Sequence, residues 1–132
     1  CVILIILPLD YISSFYAELK RIEQLLDLDK TCELPVLYML DEILKGTNSQ
    51  DRHIGATALV KQLHKTNSIG FVSTHDLELG EMAAKLEYCQ NYSFNSRIVE
   101  EKIEFDYKIS DGICRSFNAS ALMKNIGIQI DN

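Results

Sequence analysis

The sequence predicts an α/β fold: a parallel sheet with flanking helices, followed by an antiparallel hairpin. Three observations carry that expectation. An apolar run from Leu34 to Leu40 ends abruptly on the adjacent carboxylates Asp41 and Glu42. A second short apolar run, Ile69 to Ser73, follows after one segment of helical periodicity. From Tyr92 onward the hydrophobic period shifts from the helical 3.6 to the strand value of 2. Strand and helix in alternation build parallel sheets, because each crossover helix returns the chain to the same end.

The elements follow in order. Cys1 to Leu9 is strongly apolar, yet shorter than the roughly 20 residues needed to span a bilayer. It lacks a basic leader and a small-residue cleavage site, so no membrane role is expected. A buried strand is one reading of it, an adventitious extension another, and a start on Cys is consistent with a fragment. Ser13 and Ser14 precede a helical stripe formed by Phe15, Leu19, Ile22, Leu25 and Leu26. Either serine suits a cap, and Glu18 suits the positive helix start. Asp27 to Glu33 reads as a polar connection. Leu34 to Leu40, continuously apolar, is expected to be a central strand covered on both faces. Gly46 to Asp51 reads as a loop, and a second helix is expected from about His53 to Lys65, with Ala56, Leu59, Val60 and Leu63 inward. Ile69 to Ser73 is the next strand. Asp76 can cap a third helix whose inner face is Leu79, Met82, Ala83 and Leu86. Tyr92, Phe94 and Ile98, then Ile103, Phe105, Tyr107 and Ile109, alternate with polar residues around a Glu100-Glu101 turn, as a hairpin with one wet face would. A last helix, about Ala119 to Asn125, should stop at Gly127.

Composition narrows the function classes. The 132 residues are 47% hydrophobic and 24% charged, as in ordinary globular domains. A net charge of −6 argues against a broad nucleic-acid surface here, since phosphate contacts need clustered Lys and Arg. Cys1, Cys32, Cys89 and Cys114 are scattered. They show no zinc-ligand spacing and read as buried thiols in a reducing, cytoplasmic setting.

Chemistry concentrates at two strand ends. Two adjacent carboxylates at the end of a buried strand are costly unless something there uses them, and a magnesium ion with a polarised water is the usual user. That is the layout of a Walker B strand in a P-loop nucleotide hydrolase. Asp41 would hold Mg2+ through a water; Glu42 would orient or deprotonate the attacking water. His75 closes the next strand in Ser73-Thr74-His75-Asp76. Parallel neighbours end on the same edge, where ligands bind, so its imidazole could bond a phosphate oxygen. The plain alternatives are an exposed loop-capping acid pair and a backbone-bonded histidine. His53 and His64 carry only the structural reading. Ser13 and Ser14 offer hydroxyls and free N–H groups at a helix start, suited to an anion or simply to capping. Asp51 or Arg52 could reach across an interface. The matching phosphate loop, GxxxxGK followed by Ser or Thr, is nowhere in the 132 residues.

Taken together, these segments resemble the C-terminal half of the ATPase domain of the MutS DNA mismatch-repair family. Ser13-Ser14-Phe15-Tyr16-Ala17-Glu18-Leu19 is similar to its STFxxEM signature. Leu40 to Asp51, reading Leu-Asp-Glu-Ile-Leu-Lys-Gly-Thr-Asn-Ser-Gln-Asp, resembles its DEIGRGTSTxD block, and Ser73 to Leu79 resembles ATHxxEL. Phe105 to Ile109, Asp111-Gly112 and the segment to Ile128 resemble the closing hairpin and helix. The likeness runs over residues 12–128, with 1–11 an uncertain apolar segment and 129–132 a tail. It implies a partial P-loop NTPase sheet of ABC type and hydrolysis of ATP with Mg2+ at composite sites in a homodimer or with a related subunit. Asp41, Glu42 and His75 would act on the chain's own nucleotide and Ser13 on the partner's. Asp51 matches the acidic position of the loop that crosses the interface, and DNA would be gripped by regions outside this chain.

Leu44-Lys45 stands where the family usually has Gly-Arg, and Asn48 where it has Ser, which points to a divergent branch. A transporter or chromosome-maintenance cassette is the competing nucleotide-binding reading, but its LSGGQ-type signature is missing. A non-catalytic dimerisation module that completes a partner's ATP site is the alternative of a different class. Without a phosphate loop, no ATPase is expected from these residues alone.

Overall fold

The computed structural model describes residues 2–4, 14–99, 102–114, 120, 123–124 and 126–129. They fall into two compact units, Cys1–Met82 and Ala83–Asn132. The first carries β1 (Val2–Leu4), α1 (Ser14–Thr31), β2 (Val36–Asp41), α2 (Ser49–His64), β3 (Ser68–Ser73) and nearly all of α3 (Leu77–Ala83). Its sheet is wholly parallel in the order β1-β2-β3. The second holds the hairpin of β4 (Tyr92–Val99) and β5 (Lys102–Asp111). The mixed α/β class expected from the sequence is thus the one observed.

The register of β2 and β3 sets both the core and the site. Val36, Tyr38 and Leu40 point to one face and are buried with Leu25 of α1, Ala56, Leu59 and Leu63 of α2, and Leu79 of α3. Tyr38 lies opposite Gly70, where an added Cβ would come within 2.1 Å of the Tyr38 ring. Glycine leaves that ring its place. Leu37, Met39, Ile69 and Phe71 point to the opposite face, where Ile69 and Phe71 are two-thirds exposed. This corrects the expectation of a strand covered on both faces: among the described residues, the helices pack on one side only.

Two helix boundaries also differ from the sequence expectation. The α1 helix runs through Asp27–Thr31, read above as connection, because Leu28 and Cys32 continue the inward stripe from Leu25. The α2 helix starts a turn early, inside the expected loop. Asn48 has extended backbone, and its side-chain oxygen accepts the Asp51 N–H at 2.9 Å, an N-cap that releases Ser49 into the helix. The cap of α3 is as expected, with Asp76 Oδ1 accepting the Leu79 N–H at 3.1 Å.

In the hairpin the pairing jumps from Phe94↔Ile109 to Ser96↔Phe105. The extra residues of β5 form a bulge with Tyr107 at φ 54°. The face bearing Phe94, Phe105 and Ile109 is more than half exposed. The Glu100-Glu101 turn lies outside the described residues. Of the last helix, the end is described: Gly127 has φ 94°, its N–H bonds Lys124 O, and Ile128 N–H bonds Met123 O. That is the expected glycine stop in a Schellman arrangement. No helix among the described residues is long and apolar enough to cross a membrane.

Candidate functional site

The site is built where β2 and β3 end side by side. Asp41 pairs with Ser73 in the parallel ladder, so the strand-end acid and the segment leading to His75 leave the sheet on the same edge. Ser73 donates its hydroxyl to Asp41 Oδ1. The Glu42 N–H bonds Ser73 O at 3.0 Å and Ser73 Oγ at 3.3 Å. One serine therefore grips both acids of the pair.

Beyond the strand the chain turns sharply. Glu42 and Leu44 both take left-handed backbone, at φ 44° and 60°, which costs about 1–3 kcal/mol for each non-glycine residue. Burial of the Ile43 and Leu44 side chains offsets that cost. So does Glu18, whose carboxylate accepts the Leu44 N–H. Leu44, at the position where glycine would be unstrained, finds its space over Gly55 of α2. A Cβ there would come within 2.6 Å of Leu44 Cδ1. Gly46 gives similar clearance: an added Cβ would lie 2.4 Å from Phe15 Cβ, so the start of α1 rests directly on this loop.

The turn aims Glu42 across the edge. Its Oε1 lies 3.1 Å from His75 Nε2, and its Oε2 2.5 Å from Lys45 Nζ. The Lys45 ammonium, then the His75 imidazole, hold the Glu42 carboxyl below the ordinary carboxylate range. Lys45 is raised in turn, chiefly by its bond to Glu42. His75 is almost fully exposed and Glu42 about one-third exposed. The cluster is therefore an accessible rim carrying an ionised carboxylate between two donors.

Of the residues singled out from sequence, Asp41, Glu42 and His75 meet on this rim. Asp51 is engaged elsewhere, its carboxylate accepting from Asn48 Nδ2 at 2.6 Å. Ser14 opens α1 beside the Gly46 loop, while Ser13 lies outside the described residues.

Three residues escaped the sequence reading. Glu18 was placed at the helix start, yet it is 3% exposed and supports the Leu44 turn, while Leu19 is turned outward. The signal was present, since Glu18 sits three residues after Phe15 and four before Ile22, inside the inward stripe. Burial, set against bonds to the Leu44 and Lys45 backbone, leaves its carboxyl above the usual range. Ser73 reads in sequence only as a strand end. His53, read as an ordinary helix residue, turns its Nδ1 toward Asp76 Oδ2 at 3.3 Å.

Comparison with known proteins identifies the family of the chain. The family described as MutS domain V matches residues 9–129. "DNA mismatch repair protein MutS" of Natronomonas pharaonis is 30% identical over 101 residues, 76% of this chain and 11% of that protein. "DNA mismatch repair protein MSH1, mitochondrial" of Arabidopsis thaliana is 26% identical over 121 residues, 92% of this chain and 11% of the relative. "Endonuclease MutS2" of Caldicellulosiruptor saccharolyticus is 27% identical over 117 residues, 89% of this chain and 14% of the relative. The chain thus spans between about a tenth and a seventh of the length of these relatives.

Proposed function

The chain belongs to the MutS domain V family, and on that premise we propose that residues 12–128 are the C-terminal half of a MutS-type, DNA-linked ATPase domain. The observation that carries this reading is the 3.1 Å approach of Glu42 Oε1 to His75 Nε2 at one sheet edge. The parallel register of β2 and β3, which ends with Asp41 beside Ser73, supports this reading of two residues 33 positions apart in sequence.

Each residue has a role in this scheme. Glu42, kept ionised at neutral pH by Lys45 and His75, can accept a proton from, and so orient, a water attacking a terminal phosphate. His75, exposed beside it, can donate to a phosphate oxygen and register whether that group is present. An incoming γ-phosphate would compete with Glu42 for both of its partners, Lys45 and His75, coupling substrate arrival to release of the carboxylate. Asp41 and the Ser73 hydroxyl present hard oxygen atoms, a donor set suited to magnesium. Asp41 is the residue that would hold the ion through a water. When bound, magnesium neutralises charge on the phosphates. Ser14, at the helix start that rests on the Gly46 loop, and Ser13, its neighbour in sequence, would face the nucleotide of a second subunit, and Asp51 would lie toward the same interface. DNA binding would belong to regions beyond these residues, in a cytoplasmic protein.

The phosphate cradle and its Lys are absent from the 132 residues, so the catalytic rim has nothing here to position a triphosphate against. Hydrolysis of radiolabelled ATP by the isolated chain is expected at background. Saturable turnover lost in Glu42→Gln would overturn that expectation. A second reading, favoured by the start of α1 resting on the Gly46 loop, is a non-catalytic module that dimerises and completes a partner's site. A change in the turnover of a full-length homologue on mixing, abolished by Ser13→Ala, would favour it.

A further inference from the structure

Next to the rim, on its α2 side, lies a second cluster that the ATPase reading does not use. His53 Nδ1 is 3.3 Å from Asp76 Oδ2 and 3.9 Å from Glu78 Oε2, and one ligand atom from each residue falls within 4.8 Å of the other two. We propose that His53, Asp76 and Glu78 form a site for a divalent transition metal, zinc by its chemistry, distinct from any magnesium at Asp41.

The spacing is the first argument. Ligand bonds of about 2.0–2.2 Å in a tetrahedral zinc site put neighbouring ligand atoms about 3.3–3.6 Å apart. The His53–Asp76 separation of 3.3 Å falls in that range and is also that of a long hydrogen bond, while Glu78 Oε2, 3.9 Å from His53, reaches the range by a small rotation of its exposed side chain. The second argument is how the ligands are held. Asp76 uses its other oxygen to cap α3 through the Leu79 N–H. That bond fixes the carboxylate and leaves Oδ2 toward the imidazole, as supporting hydrogen bonds do around metal ligands. The Asp76 and His53 side chains are 15% and 29% exposed, while Glu78 is 78% exposed. Two ligands are therefore positioned and the third is free to swing in, leaving a fourth position for water. The third argument is charge. One imidazole with two carboxylates favours zinc over magnesium, which prefers an all-oxygen shell, and a divalent ion neutralises the two acids. Such an ion would clasp α2 to the segment directly after His75, and so set where that imidazole stands.

The test is a metal titration of the full chain, independent of nucleotide. Competition against a chromophoric chelator should find one equivalent of Zn2+, and Co2+ should give the intense visible bands of a four-coordinate N/O site. His53→Gln and Glu78→Gln should each weaken binding at least tenfold, while His64→Gln should leave it unchanged. Glu78 is exposed, so its variant carries little folding risk. Absence of stoichiometric binding, retention of full affinity in Glu78→Gln, or a thiolate-to-cobalt absorption band assigning the metal to cysteines would each overturn the proposal.

Discussion

The two ends of the chain solve the same problem, holding strands together, by different means. The hairpin is held by a backbone ladder between neighbours in sequence, and its apolar face is open. The β2–β3 edge joins segments about 30 residues apart, and there backbone pairing is only the start. Ser73 ties both acids of the pair, Glu18 supports the Leu44 turn, and His75 meets Glu42. A ladder needs little from individual side chains, whereas an edge that must present a carboxylate at a fixed point needs several buried or bonded ones. The difference marks which region holds its side chains in fixed places.

Substitution should expose that contrast. Leu63 is fully buried beneath the sheet, and Leu63→Ala is expected to cost about 2–5 kcal/mol in urea unfolding through lost burial and the cavity left behind. Ile109→Thr, on the exposed hairpin face, should stay within about 0.5 kcal/mol. Equal losses at both positions would erase the distinction.

Glu18 sharpens it further. Glu18→Ala leaves the Leu44 N–H buried without its acceptor and should cost about 1–3 kcal/mol. Glu18→Gln keeps an acceptor and removes the charge. Because burial raises the folded-state pKa of Glu18 above its ordinary 4.5, the folded state holds that proton more tightly than the unfolded chain does. Its contribution is then fully present below that value and is lost as pH rises through the raised one. Unfolding followed against pH should show wild type losing stability over that interval relative to Glu18→Gln. Parallel profiles would contradict a buried, ionisable Glu18.

The smallest effect is expected at Lys45. Its side chain is about half exposed, so Lys45→Ala should leave stability nearly unchanged. It should raise the Glu42 pKa toward the ordinary carboxylate value, read by carboxyl carbon resonances during a pH titration. An unmoved Glu42 would mean that the ammonium does not hold it.

Much of this was legible in the residues. Apolar runs that stop on Asp41-Glu42 and Ser73-Thr74-His75 identify strand ends, and parallel order brings such ends together. What stayed hidden has physical causes. Helical spacing puts Glu18 on the inward stripe, but it cannot show the backbone N–H whose bond makes a carboxylate tolerable there. Asn48 reads equally as a loop residue and as a cap until the Asp51 N–H is located. Phe105, Tyr107 and Ile109 alternate as in a regular strand, and only the register reveals the bulge that takes Tyr107 out of line.

We propose that Glu42 and His75 share a rim meant for a triphosphate. The most direct measurement is ATP turnover by a chimera in which residues 14–114 replace the matching segment of a MutS relative that retains its own phosphate loop. Turnover that falls by at least about a hundredfold in Glu42→Gln, and also in His75→Ala, is the predicted result. Turnover in the chimera that neither substitution alters would mean that the two residues do not serve a triphosphate.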